Sequence, residues 1–102
     1  MISIAKTIEF TEWLRFLFLT LKEQGQINAR LERIQSAGHF GDAKNLGSGL
    51  AELRWKNGWR IYFFKGSRDT IVLLIGGHKN AQEKDIQKAR LLLRRYAHAS
   101  SK

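Results

Sequence analysis

Two arginines, and a short run that follows them, hold most of the reactive chemistry in this chain. Arg54 lies in residues 50–56, where Glu52, Arg54 and Lys56 alternate with Ala51, Leu53 and Trp55. Arg60 lies in residues 59–65, where Arg60 and Tyr62 alternate with Ile61 and Phe63. Alternation of this kind is the period of a half-buried strand. The loop between the strands decides whether the arginines meet. A two-residue loop at Asn57-Gly58 pairs Trp55 with Arg60 and mixes polar and apolar faces. A three-residue loop, Lys56-Asn57-Gly58, pairs Arg54 with Arg60, Leu53 with Ile61 and Glu52 with Tyr62, and keeps each face pure. It also puts Gly58 at the left-handed position of a type I turn with a bulge. The three-residue loop is therefore predicted, and with it two guanidinium groups side by side on one open face. Like charges directly opposite each other destabilise a strand pair, so this pair is either screened by solvent or kept for an anion.

Other groups converge on the same end of the sheet. Residues 70–75 are apolar at almost every position, as in a central strand covered on both faces, and they run into Gly76-Gly77-His78-Lys79. The glycines let backbone approach a ligand closely, and the N-terminus of the helix that follows is an anion site. Lys44 reaches in from a glycine-rich loop, Gly38 to Gly49. Bidentate arginines, a point-charge lysine and oriented amides together suit a phosphate. Trp55, Trp59, Tyr62 or Phe64 could stack a base, with Trp55 and Trp59 on the face assigned to the core.

Cutting RNA without a metal needs a base for the 2′-hydroxyl proton, cations for the charged phosphorane, and an acid for the leaving 5′-oxygen. His78, Glu52 and Tyr62 are the candidates for moving protons, and His78 has the pKa nearest neutrality. Each also has a plain structural reading. His78 suits a surface turn, Glu52 neutralises an arginine, and Tyr62 is an exposed cross-strand partner. His39 and His98 fall in a loop and a tail. Three scattered histidines with no cysteine give no zinc spacing, and no P-loop, GxGxxG or GxSxG pattern is present. The chemistry expected needs no metal or other cofactor.

The rest of the chain must position these groups. A length of 102 residues gives one domain, 1–102, with a frayed tail at 98–102. An apolar content of 43% is that of a globular chain. The absence of cysteine, of a signal-peptide pattern and of any ~20-residue apolar run points to the cytoplasm and to no membrane span. Eighteen Lys and Arg against nine Asp and Glu give a net charge of +9, so the partner expected is a polyanion. Ile2, Ile4 and Ile8 mark a short first strand at a sheet edge. A helix capped at Thr7 or Thr11 carries Phe10, Trp13, Leu14, Leu17 and Leu21 on one stripe, widened by Phe16, Phe18 and Leu19. Gln24-Gly25-Gln26 breaks it. A second helix runs to about Ala37 with Arg30 and Arg33 outward, and stops at Gly38. Asn80 to Glu83 reads as a capping box for a last, basic helix that ends near Ala97.

Four segments carry a family resemblance: EFTEWLRFL, INARLERIQSAGHFGDAKNLGSGLAELR, WRIYFF and IVLLIGGHKNAQEKDIQKA. In this order they resemble the RelE/ParE superfamily of toxins from bacterial type II toxin–antitoxin modules, and most of all its HigB-like addiction module killer branch. The resemblance covers residues 8 to about 96. It implies an α+β fold, β-α-α-β-β-β-α, with a mostly antiparallel four-stranded sheet and helices packed on one face. It implies a toxin that inhibits translation as an mRNA interferase, a ribosome-dependent RNA endonuclease relieved by a cognate acidic antitoxin in a hetero-oligomeric complex. Carried over by position, the family's basic residues fall on Arg54, Arg60, Lys79 and Lys44. The catalytic set expected is Arg54, Arg60, His78, Lys79 and Tyr62. The RNA-binding set is Lys44, Lys56, Arg54, Arg60, Lys79 and Lys84. The chain departs from the branch at His78, where Asp is common, and in its short connection before WRIYFF.

The same superfamily includes ParE-like members that inhibit DNA gyrase without cutting RNA. On that alternative the apolar excess of the first helix, Phe16 and Phe18, and the basic last helix carry the function.

Overall fold

The computed structural model describes residues 1–17 and 19–100, and side chains as far as residue 97. Five strands form one mixed sheet in the order β1-β5-β4-β3-β2: β1 (Ser3–Lys6), β2 (Ala43–Gly47), β3 (Leu50–Arg54), β4 (Trp59–Lys65) and β5 (Thr70–His78). β1 runs parallel to β5 at one edge, and the other pairs are antiparallel. The helices are α1 (Ile8–Arg15), α2 (Leu21–Ala37) and α3 (Gln82–Ser100).

The β3–β4 register is the one the polar pattern predicts: Leu53 faces Ile61, Glu52 faces Tyr62 and Arg54 faces Arg60. The turn closes through Gly58 N–H to Trp55 O and Trp55 N–H to Trp59 O, both at 3.0 Å, with Gly58 at φ +102°. Left-handed backbone of this kind favours glycine.

Five expectations about the elements are corrected. The sheet has five strands, because the predicted loop at 38–49 contains β2, which folds back on β3 through Ser48 and Gly49, and it is mixed, because β1 pairs parallel to β5. The helices do not share a face. Phe10, Ile27, Leu31 and Ile34 of α1 and α2 pack with Leu53, Ile61, Phe63 and Leu73 on one side. Ala89 and Leu92 of α3 pack with Leu50, Tyr62, Phe64 and Leu74 on the other. The unbroken apolar run of β5 required both covers.

α1 ends at Arg15 and α2 starts at Leu21, so the predicted break at Gly25 is not there. Thr20 and Glu23 form a reciprocal cap, each side chain bonded to the other's backbone N–H at 3.1 Å, and a cap of that kind starts a helix whatever follows. Gly25 therefore sits inside α2. The predicted Asn80 cap is replaced by a 3₁₀ turn, Lys79–Ala81, that runs straight into α3. α3 continues to Ser100, past the predicted stop at Ala97, and Ser101 and Lys102 of the predicted tail lie outside the described residues.

Thr7 ties the halves of the chain together. Its Oγ1 accepts from Phe10 N–H at 2.9 Å, capping α1, and donates to Leu74 O at 2.7 Å. Gly38 ends α2 at φ +71°, as predicted.

Candidate functional site

The site is built on two rows of cross-strand neighbours on the α3 side of the sheet. One row is Lys44, Glu52, Tyr62 and Ile75; the next is Arg54, Arg60 and Gly77. The first turn of α3 overlies them, so this face is not open.

Glu52 is fully buried, and Gln82 Nε2 donates to both its carboxylate oxygens at 3.1 and 3.0 Å. Arg54 Nε lies 3.5 Å from Glu52 Oε1, an ion pair whose angle closes no hydrogen bond. Arg60 is only 7% exposed. Its Nη1 donates to Trp55 O at 3.2 Å and Trp59 O at 3.0 Å, while its buried Nε has no hydrogen-bond partner. Burying a guanidinium N–H without a partner is costly.

Tyr62 is buried, where an exposed cross-strand partner was expected. Its hydroxyl lies beside Glu52 without a well-formed hydrogen bond. Burial pushes the phenol well above its ordinary value, and the charges of Glu52 and Asp85 push it further. Tyr62 therefore holds its proton at neutral pH.

Asp85 completes the second row. Gly77 has no side chain beside Arg60, and the Asp85 carboxylate occupies the space where a Cβ at position 77 would stand. Burial raises the Asp85 carboxyl, and Lys84 and Lys88 pull it partway back. An aspartate raised in this way keeps a proton closer to neutrality than an ordinary surface carboxylate does. Neither Gln82 nor Asp85 was anticipated. Both lie on the inward stripe with Ile86 and Ala89, and their spacing shows this once α3 is known to start at Gln82.

The predicted set divides. Arg54, Arg60 and Tyr62 share a face with Lys44, which is exposed on β2 opposite Glu52. His78 pairs with Trp59, so it lies on the α1–α2 side, with its ring edge-on to Trp59 at 5.0 Å and its Nε2 3.1 Å from Asn57 O. That places His78 away from the arginine pair. Lys79 is exposed just past β5, and its N–H bonds Gly58 O at 2.8 Å. Lys56 and Lys84 are exposed, the first in the β3–β4 turn and the second on α3. Of the four rings offered for base stacking, Tyr62 and Phe64 are buried, while Trp55 and Trp59 are half-buried. Trp59 Nε1 donates to Glu23 at 3.0 Å.

Arg30 was predicted to point outward. Instead its guanidinium lies 4.4 Å over the Trp55 ring and donates to the carbonyls of Phe40, Asp42 and Arg54, which fixes the chain entering β2.

A family model described as phage-derived protein Gp49-like (DUF891) matches residues 13–97. The chain belongs to the Gp49-like family. This is a family of toxins from toxin–antitoxin modules, related to the RelE/ParE-like fold. Among its relatives, an uncharacterized protein of Haemophilus influenzae is 41% identical over 93 residues, covering 89% of this chain and 92% of that one. Two solution structures of conserved hypothetical proteins from Helicobacter pylori share the fold. HP0892 has a TM-score of 0.52 at 18% identity, covering 80% of this chain and 99% of its own. HP0894 has a TM-score of 0.56 at 15% identity, covering 78% and 97%. Among the described residues of this Gp49-like chain, no helix is long and apolar enough to cross a membrane.

Proposed function

We propose that this Gp49-like protein is the toxin of a type II toxin–antitoxin pair, close to the HigB-like branch, and that it inhibits translation by cutting mRNA on the ribosome without a metal. The observation that carries this reading is the Arg54–Arg60 pair. Arg54 and Arg60 stand directly opposite each other across β3 and β4, and the buried Nε of each has no hydrogen-bond partner among the described residues. A phosphodiester bound between them would receive charge-assisted hydrogen bonds that strengthen as the phosphorane forms. The 2′-oxygen attacks phosphorus, its proton passes to a base, and the bond to the 5′-oxygen breaks as that oxygen is protonated.

Asp85, over Gly77 and near Tyr62, is the carboxyl of the site best suited to moving a proton, because it is raised and partly accessible. Glu52, clamped by Gln82, holds Arg54 in place. Tyr62 is too deeply buried to touch the message and lines the floor. Lys44 and Lys79, exposed at the rim, hold flanking phosphates. A cognate antitoxin with an acidic segment, in a hetero-oligomeric complex, would mask the site.

The test is to map RNA 5′ ends in cells shortly after induction. New ends inside translated frames are expected for the natural chain. They should fall on the order of a hundredfold for Arg60→Lys, which keeps the charge but loses the planar fork, and similarly for Asp85→Asn. Intact messages with arrested growth would overturn the reading. That result would favour a ParE-like inhibitor of gyrase, a reading supported by Phe16 and Leu21, which are 65% and 86% exposed near the α1–α2 junction. Phe18, the other residue named for that role, lies outside the described residues.

A further inference from the structure

A second cationic feature lies on the α2 side of the molecule. A groove of about 780 Å³ runs between α2 and the β3–β4 turn, lined on one side by Lys22, Gln26, Arg30 and Arg33 and on the other by Arg54, Trp55, Lys56 and Asn57. Five of its lining residues are basic, and Asp42 is its single acid. Along α2 the basic positions 22, 30 and 33 share one stripe and span roughly 16 Å at 1.5 Å per residue. Lys22, Arg33 and Lys56 are exposed and, among the described residues, form no ion pair. Arg54 borders the groove at the end of β3, where its carbonyl accepts from Arg30, while its side chain pairs with Glu52 on the other side of the sheet, so the groove and the arginine pair meet at the end of this strand.

We infer that this groove is a track for single-stranded RNA, which carries the message to or from the phosphate held by Arg54 and Arg60. The inference rests on the mRNA reading of that pair and adds the path of the flanking strand. The lining favours RNA over an acidic protein segment. A protein interface needs an apolar centre, whereas Ala29 and Trp55 are the apolar side chains here larger than glycine. A polyanion with a repeating charge and flat bases needs what the groove offers: cations in a row and an aromatic ring beside them, at Trp55.

The test measures binding of a fluorescent 12-nucleotide single-stranded RNA to the full chain by anisotropy across a salt series. One variant combines Lys22→Ala, Arg33→Ala and Lys56→Ala. A control removes the same charge elsewhere with Lys6→Ala, Lys65→Ala and Arg94→Ala. The groove variant should lose at least tenfold in affinity at about 0.15 M salt, and the control less than threefold. Loss of three phosphate contacts should make the slope of log affinity against log salt shallower by about 2, at about 0.7 per contact on a single strand. Equal losses in both variants would show that binding follows net charge alone and would overturn the inference. Unchanged RNA affinity in the groove variant, with loss of a polyglutamate peptide, would overturn it in favour of an acidic protein. The two questions stay apart because cleavage is read from RNA 5′ ends in cells and the groove from affinity in solution. Intact messages together with a tenfold loss of affinity in the groove variant would overturn the cleavage reading and leave the groove assignment standing.

Discussion

At the scale of single residues, burial rather than residue type sets what each group can do. From sequence, Arg60 is an exposed charge whose loss spares the fold. In the structure it is buried and holds two carbonyls of the β3–β4 turn, so Arg60→Ala would lose those bonds, at about 1–3 kcal/mol when a buried group is orphaned. Arg60→Lys is the cleaner probe. Tyr62 gives a prediction in pH. An unfolded tyrosine ionises near 10.0, while folded Tyr62 keeps its proton to higher pH. Above that point the folded chain binds more protons than the unfolded one, so stability falls as pH rises. Urea midpoints between about pH 9 and 11 should therefore drop more steeply for the natural chain than for Tyr62→Phe; parallel curves would show that Tyr62 is not shifted. The pairing of Arg54 with Arg60 was legible, because only one register separates polar from apolar side chains. The place of Asp85 was not. It depends on Gly77 leaving a vacant position next to Arg60, which is a relation between distant segments that no local pattern records.

At the scale of elements, local chemistry outranked the strongest breaker in the sequence. Gly25 looks like a helix end, yet the Thr20–Glu23 cap starts α2 upstream of it and Gly38 ends it downstream. A Cβ at position 25 would meet nothing within 4 Å. Gly25→Ala should therefore stabilise the protein by about 0.5–1 kcal/mol by removing the entropy loss of a helical glycine. Thr20→Ala should destabilise it by about 1 kcal/mol. Denaturant unfolding of the two variants checks both, and a destabilised Gly25→Ala would mean that α2 is broken there after all. The missed strand has a similar cause. Ala43–Gly47 is short and mostly exposed, and it reads as a loop until β3 supplies the partner. Arg90 adds a brace that spacing could not show, donating to Leu46 O at 2.9 Å and Gly47 O at 3.2 Å.

At the scale of the molecule, the excess of eighteen basic over nine acidic residues is spread over both sides of the sheet. The arginine pair lies on the α3 side and the groove on the α2 side, with Arg54 common to both. An antitoxin that silences this protein should meet that field, so its complex should associate more slowly and dissociate more readily as salt rises. Stopped-flow association at about 0.05 and 0.5 M salt would show this, and a salt-independent rate would place the contact on the apolar residues instead. The edge pairing of β1 with β5 has a further consequence, in the order of synthesis. Thr7 bonds Leu74 across 67 residues, and β1 has no other strand beside it. While the chain is being made, its first strand waits unpaired until the fifth has left the exit tunnel. Long-range closure of this kind is slow and late. A nascent chain of this protein therefore cannot complete its sheet, or the face of β3 and β4 that β5 and α3 cover, until β5 has emerged to pair with β1.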